Sequence, residues 1–266
     1  MKNKLASLTK PKTTYEKVDY SKIYWKPTVG KHQIRILSSK FDKSNPFKEF
    51  YLHYGIAKFP IMALSNWGEQ DPIIQFCAKL RKSQEKDDWQ LAKKLEPKMR
   101  VVVPVIVRGE EALGVRLWEF GANNYKELLA IANDEDYGDF TDVNEGRDFT
   151  IEGVSEVAMG RTYVKTSVRI KPKTSPLSTD PVLVETWLNN QPDIMSVYKK
   201  MTFDEIKNIL MNYLEPENEE VNHEEDEEDE VEQTVEDKVT PKSDLPLDKV
   251  KKQSIDKFDD LFPKEN

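Results

Sequence analysis

Tyr163, Lys165, Ser167, Arg169 and Lys171 fall at every second position of the segment TYVKTSVRIK. In an extended backbone that spacing puts one ring and three cations on a single face. Such a face suits an unpaired polynucleotide. A base stacked on an aromatic ring contributes roughly 1–3 kcal/mol, and Lys or Arg neutralises phosphate with release of counterions. The segment LGVRLWEF carries a second set, Arg116, Trp118 and Phe120, again two apart. If Leu113, Val115 and Leu117 form the core face, Trp118 faces solvent beside Arg116. The competing reading of both segments is an amphipathic strand with a merely solvated basic face. Lys98 and Arg100 add charge just before the valine run VVVPVIV, and Lys93 and Lys94 precede them.

Residue types suited to bond-making chemistry are sparse. His32 and His53 stand without a motif, and His223 lies inside an acidic run. Cys77 sits in an apolar helical stretch, which favours an inert thiol over a nucleophile. The segment from Asp134 to Asp142 clusters carboxylates. Its spacing is not that of a calcium loop, and turn chemistry accounts for it. The chain therefore reads as a binding protein and not as an enzyme.

The charge of the 266 residues is divided along the chain. Residues 215–266 hold 20 Asp and Glu against 7 Lys, a net of −13, whereas residues 1–214 carry a net of +5. The split suggests a polyanionic partner, or a tail that competes with one. A single cysteine allows no intramolecular disulfide, which points away from an oxidising compartment. The start, MKNKLASLTKPK, lacks an apolar h-region, and no run of 18 apolar residues occurs. A soluble protein of the cytoplasm is expected.

The candidate faces need strands to hold them. Apolar alternation predicts strands over Gln33–Leu37, Phe47–His53, Val101–Val107, Leu113–Phe120, Arg147–Val154 and Thr162–Ile170. Pro104 argues for an edge strand or a bulge. Helical spacing marks residues 74–95 and 124–133, and Thr202 with Glu205 opens a third helix over 203–214 as a capping box. The fold class expected is mainly β with α: a small barrel or curved sheet with a helical subdomain. Residues 1–22 read as a flexible arm bearing Lys2, Lys4 and Lys10, residues 23–214 as the core, and residues 215–266 as a disordered acidic tail. Near the end of that tail Phe258, Leu261 and Phe262 stand among Asp259 and Asp260. With no core to join, they read as a short peptide that docks on a partner.

The order of these blocks resembles the T-even-type bacteriophage single-stranded DNA-binding, or helix-destabilising, protein family. HQIRILSSKFDKSNPFKEFYLHYGI is similar to that family's first core segment. PKMRVVVPVIVRGEEALGVRLWEFGANNYKELLAI is similar to its basic run, strand, loop, aromatic strand and short helix, and DYGDFTDVNEGRDFTIEGV to the acidic turn and strand that follow. The resemblance implies an OB-fold core that binds single-stranded DNA in a basic, aromatic-lined cleft, with Trp118 and Tyr163 at aromatic sites and Lys98 and Arg100 in the basic run. It implies an N-terminal arm for self-association along DNA, and an acidic tail contacting replication and recombination proteins. The family's type member carries a zinc site of three cysteines and a histidine. The matching segment DPIIQFCAKLRKS keeps Cys77 alone, so neither zinc nor another cofactor is expected, and an apolar core near Ile73 and Ile74 replaces it. A protein-interaction adaptor with a DNA-mimicking tail is the alternative.

Overall fold

The computed structural model describes residues 20–215, apart from 159 and 160, and residues 250–263, apart from 252. The fold is mixed α+β. A short helix α1 (Tyr20–Ile23) leads into β1 (Tyr24–Trp25), β2 (Gly30–Ile36), β3 (Lys48–His53) and β4 (Ile61–Met62). Helices α2 (Pro72–Lys82) and α3 (Lys86–Leu95) precede the central strand β5 (Lys98–Val107), and β6 (Arg116–Phe120) and α4 (Ala122–Ala132) follow it. The long hairpin β7 (Arg147–Ala158) and β8 (Arg161–Thr174) leads to α5 (Pro181–Asn189), α6 (Ile194–Val197) and α7 (Phe203–Leu214), and α8 spans Ile255–Leu261.

The strands form one sheet of order β1-β6-β5-β2-β7-β8, with β3 pairing both β5 and β4. Alternate residues of this sheet meet in a single interior. Ile34 and Ile36 of β2, Val101, Val103, Val105 and Val107 of β5, Trp118 and Phe120 of β6, and Phe149 and Ile151 of β7 share one buried cluster, capped by Leu128 of α4. The sheet wraps round this core without closing, since no described pairing joins β1 to β8. Of the small barrel or curved sheet expected, the described strands form an open, curled sheet and not a closed barrel.

The other face of the sheet is covered as well. Phe50, Leu52, Val102, Leu117 and Ile194 form one cluster there, and Leu37, Ile106, Val115, Leu177 and Trp187 form another. Strand β5 is therefore apolar at every position from Val101 to Val107, the mark of a strand buried on both faces. Pro104 is not at an edge. It lies where β3, paired up to Val102, hands over to β2, paired from Val105. Its carbonyl accepts from Leu37 N at 3.0 Å. The missing N–H falls at this changeover, where no continuous ladder demands it.

The helix expected over 74–95 breaks into α2 and α3 at Ser83–Glu85, where Gln84 takes a left-handed φ of 61°. The break folds α3 back so that Leu91, Ala92 and Leu95 meet Ile73, Phe76, Cys77 and Leu80. Helix α7, with its Thr202–Glu205 capping box intact, adds Ile206, Leu210 and Tyr213 to this second core. Asp71 caps α2 through Ile73 N and Ile74 N, accepts from Leu64 N at 2.9 Å, and lies 3.3 Å from His53 Nε2. The other ring nitrogen of His53 lies 3.0 Å from the Leu95 carbonyl.

The C-terminal segment departs furthest from expectation. The described residues of 250–263 do have a core to join. Val250, Phe258 and Phe262 complete the helical core with α2, α3 and α7. The arm residues Lys2, Lys4 and Lys10, and the acidic stretch 216–249, lie outside the described residues.

Candidate nucleic-acid interface

The β6 set does not form a surface. Trp118 is 1% exposed and packs edge-on against Trp25 and tilted against Phe120, at 5.9 and 4.5 Å between ring centroids. Phe120 and Arg116 are buried too, and Arg116 is paired with Glu110. Leu113, expected in the core, lies in a 3-10 turn before the strand and is 62% exposed. Both faces of β6 are covered, and the larger rings took the interior where β2, β5 and β7 supply the most apolar contact.

The β8 set does share one face, as its period of two requires. Tyr163 is half-buried, Lys165 and Arg169 are exposed, and Lys171 is half-buried. Antiparallel pairing brings the acids of β7 onto the same face: Glu156 is opposite Tyr163 and Glu152 opposite Ser167. The Tyr163 hydroxyl donates to Glu156 at 2.8 Å, and Lys165 lies 3.3 Å from the same carboxylate. Arg169 pairs with Glu152, which Lys31 of β2 also approaches at 3.6 Å. These bonds hold the Glu156 carboxyl below the usual carboxylate range, the Tyr163 hydrogen bond contributing most and Lys165 next. The basic face is thus largely matched by its own acids.

The arrangement richest in rings and cations lies elsewhere, on the outer face of the sheet toward the helical core. Lys98, Arg100 and Val102 alternate along β5, opposite Leu52, Phe50 and Lys48 of β3. Tyr24, Tyr54, Trp67 and Tyr198 all pack, half-buried, against the cluster of Phe50, Leu52, Val102 and Ile194. Trp67 also touches the helical core and so sits at the seam between the two. Arg100 is buried, donates from Nε to the Tyr54 hydroxyl at 3.0 Å and stacks 5.3 Å from that ring, with Glu119 at 3.4 Å. Lys200 lies 5.3 Å from the Trp67 ring and also pairs with Glu69. A cavity of about 320 Å³ opens on the same face between Phe41, Phe47, Lys48, Val102, Leu117 and Ile194. At its edge Lys40 lies 4.9 Å from the exposed Phe41 ring. Three rings on one face, Phe41, Tyr54 and Trp67, each carry a cation. Further ring–cation pairs, Arg81 with Trp89 and Arg147 with Tyr137, belong to other elements.

Sequence reading placed Lys98 and Arg100 here and missed the rings. They come from five separate segments, which no local period links. The usable signals were KIYWK at 22–26 and YKK at 198–200, where aromatics stand beside Lys.

The remaining chemistry is structural. Burial pushes the Cys77 thiol up to about 12, which disfavours the thiolate that metal binding or attack needs. His53 already spends both ring nitrogens on Leu95 and Asp71. Among the described residues no group of three His, Cys, Asp or Glu side chains is placed to hold a metal ion. The donor set therefore does not fit the zinc that the resemblance carries. The Asp134–Asp142 carboxylates are occupied with turn amides, as Asp139 with Thr141 N and Asp142 with Asn144 N and Glu145 N. No described helix is long and apolar enough to cross a membrane. Compared with known proteins, the chain matches no family model and no curated protein.

Proposed function

We propose that this protein binds single-stranded DNA, largely independently of sequence, as an accessory of DNA replication, recombination and repair. The observation that carries the reading is the set of three ring–cation pairs, Phe41 with Lys40, Tyr54 with Arg100 and Trp67 with Lys200, on one sheet face. Rings stack unpaired bases whatever their sequence, and cations follow the phosphates. Duplex DNA hides its base faces from such a surface. In this reading the curled sheet serves as an OB-fold-like platform, consistent with the resemblance to the T-even-type phage family. The acidic stretch 216–237 competes with DNA at low salt and, with the neighbouring tail, recruits replication and recombination proteins. The N-terminal lysines support association between neighbours along the strand.

Titration with oligo-dT tests this. Intrinsic tryptophan fluorescence should be quenched saturably, Trp67→Ala should remove much of the quench, and log affinity should fall linearly with log salt. Unchanged fluorescence and no mobility shift at low salt would overturn the proposal.

A further inference from the structure

The segment expected to dock on a partner is docked on its own chain. Ser254 N donates to Val250 O, Phe258 N to Ser254 O and Phe262 N to Phe258 O, at 2.9–3.1 Å, so the backbone runs helically into α8. Val250, Ser254, Phe258 and Phe262, four residues apart, make one buried stripe, 0–8% exposed, while Asp256, Asp259 and Asp260 face outward. Phe258 meets Phe76 of α2 edge-on at 5.9 Å. Phe262 meets Phe203 of α7 at 5.9 Å and lies beneath Lys207 at 5.2 Å.

Charges at the rim match. Lys257 reaches Asp88 and Glu85 at the start of α3, Lys79 of α2 reaches Asp260 at 3.3 Å, and Lys251 lies 3.6 Å from the Tyr213 ring. The groove formed by α2, α3 and α7 therefore takes a helix with an apolar stripe flanked by an acid that meets Lys79 and a base that meets Asp88 and Glu85, held in the helix-in-groove manner.

We propose that this groove is an exchangeable socket, and that it takes the same C-terminal helix from a second copy of the chain. Among the described contacts the helix is held by side chains, and its backbone hydrogen bonds close within the segment. Residues 216–249, 34 in number, separate it from the end of α7; extended, they reach at most roughly 110–120 Å. That span exceeds the width of a protein of this size. A neighbour's helix brings every contact that the chain's own helix makes, so exchange sacrifices only the proximity conferred by the tether. The interface is heterologous, helix on one side and socket on the other, so it links copies tail to socket and strengthens as protein concentration rises.

Thiol cross-linking of full-length chains tests the exchange. Lys79 and Asp260 are both partly exposed, at 29% and 75%, so Lys79→Cys and Asp260→Cys leave the cores untouched, and the buried native thiol of Cys77 is unreactive. With a short bismaleimide linker, a chain carrying both substitutions should give an internally linked monomer. A mixture of Lys79→Cys chains and Asp260→Cys chains should give a covalent heterodimer whose yield rises with concentration. Adding Phe258→Ala and Phe262→Ala to the Asp260→Cys chain should lower that yield more than about tenfold, because both buried rings are lost. A double-cysteine chain that links internally while the mixture yields no dimer at any concentration would overturn the exchange. So would a dimer yield indifferent to the two Phe substitutions, which is random encounter. Failure of the internal link would remove the socket itself. The assay contains no nucleic acid, so its outcome is independent of the DNA-binding proposal.

Discussion

Two surfaces of this protein bring cations beside aromatic rings, and they differ in what lies across the neighbouring strand. On the β7–β8 hairpin, Tyr163 and Lys165 face Glu156, and Arg169 faces Glu152. On the outer sheet face, Lys40, Arg100 and Lys200 lie against Phe41, Tyr54 and Trp67. Acids approach there too, Glu119 near Arg100 and Glu69 near Lys200, but Tyr54 and Trp67 belong to the cluster at the seam with the helical core. A cation opposite an acid in an antiparallel ladder is part of a local pair. A cation over a ring is held by the ring's quadrupole as well. Exposed pairs contribute little, so phosphate can displace Glu156. The hairpin's share in binding is then small, not zero.

Substitution of Trp118 gives the largest effect and the sharpest break between surface and core. Trp118→Ala empties a site between Trp25 and Phe120 and should cost about 3–5 kcal/mol of folding stability, read by urea denaturation. A well-folded Trp118→Ala protein that had lost only DNA binding would return β6 to the surface. Next comes Trp67→Ala, which should weaken oligo-dT binding by roughly 1–3 kcal/mol, about 5- to 150-fold, in a protein that still folds. Tyr163→Ala should change the same affinity by less than about 1 kcal/mol. If the two results came out reversed, the DNA-binding face would be the hairpin.

The contrast also shows which features the sequence made legible. Period two marked β7 and β8 and placed Tyr163 with Lys165 and Arg169 correctly, because that hairpin projects one solvated face. The same period in LGVRLWEF marked the strand but gave the wrong exposed side, because the sheet is covered on both faces and amphipathicity no longer reports the core. Thr202 and Glu205 announced α7 through a bond pattern that is wholly local. The seam was not legible: Tyr24, Tyr54, Trp67, Arg100 and Tyr198 meet only through tertiary packing. Phe258 and Phe262 were expected to dock on a partner; the socket of their own chain, built from Phe76, Phe203 and Tyr213, required the fold.

A pH dependence separates the two surfaces further. Burial, the largest influence on Asp71, pushes its carboxyl up, but hydrogen bonding and attraction from His53, with the Leu64 and Ile74 amides, outweigh it and hold it below its usual 3.8. A carboxyl depressed in the folded state contributes stability that is present above the unfolded value and lost as pH falls through the folded one. Asp71 anchors Leu64, the first residue of the turn that carries Trp67. Acidification below about pH 4 should therefore loosen the seam, seen as a red shift in tryptophan emission, and Asp71→Asn should flatten that dependence. An emission profile identical in the two proteins would detach Asp71 from the seam.

The smallest effect lies at Glu156. Its carboxyl is exposed and held below the ordinary range first by Tyr163 and then by Lys165, so Tyr163→Phe, which keeps the ring and removes the donor, should raise its titration midpoint toward that of a free glutamate. The change is measurable by side-chain NMR. If bases stack on Tyr163, the phenylalanine ring serves as well and oligo-dT affinity is kept, to within about twofold. If Lys165 is the group that reaches phosphate, releasing Glu156 from Tyr163 leaves it freer to hold Lys165, and affinity falls slightly instead. A Glu156 midpoint indifferent to Tyr163→Phe would mean that the hydroxyl pair does not persist in solution, and the neutralised hairpin face, one half of the comparison, would have to be given up.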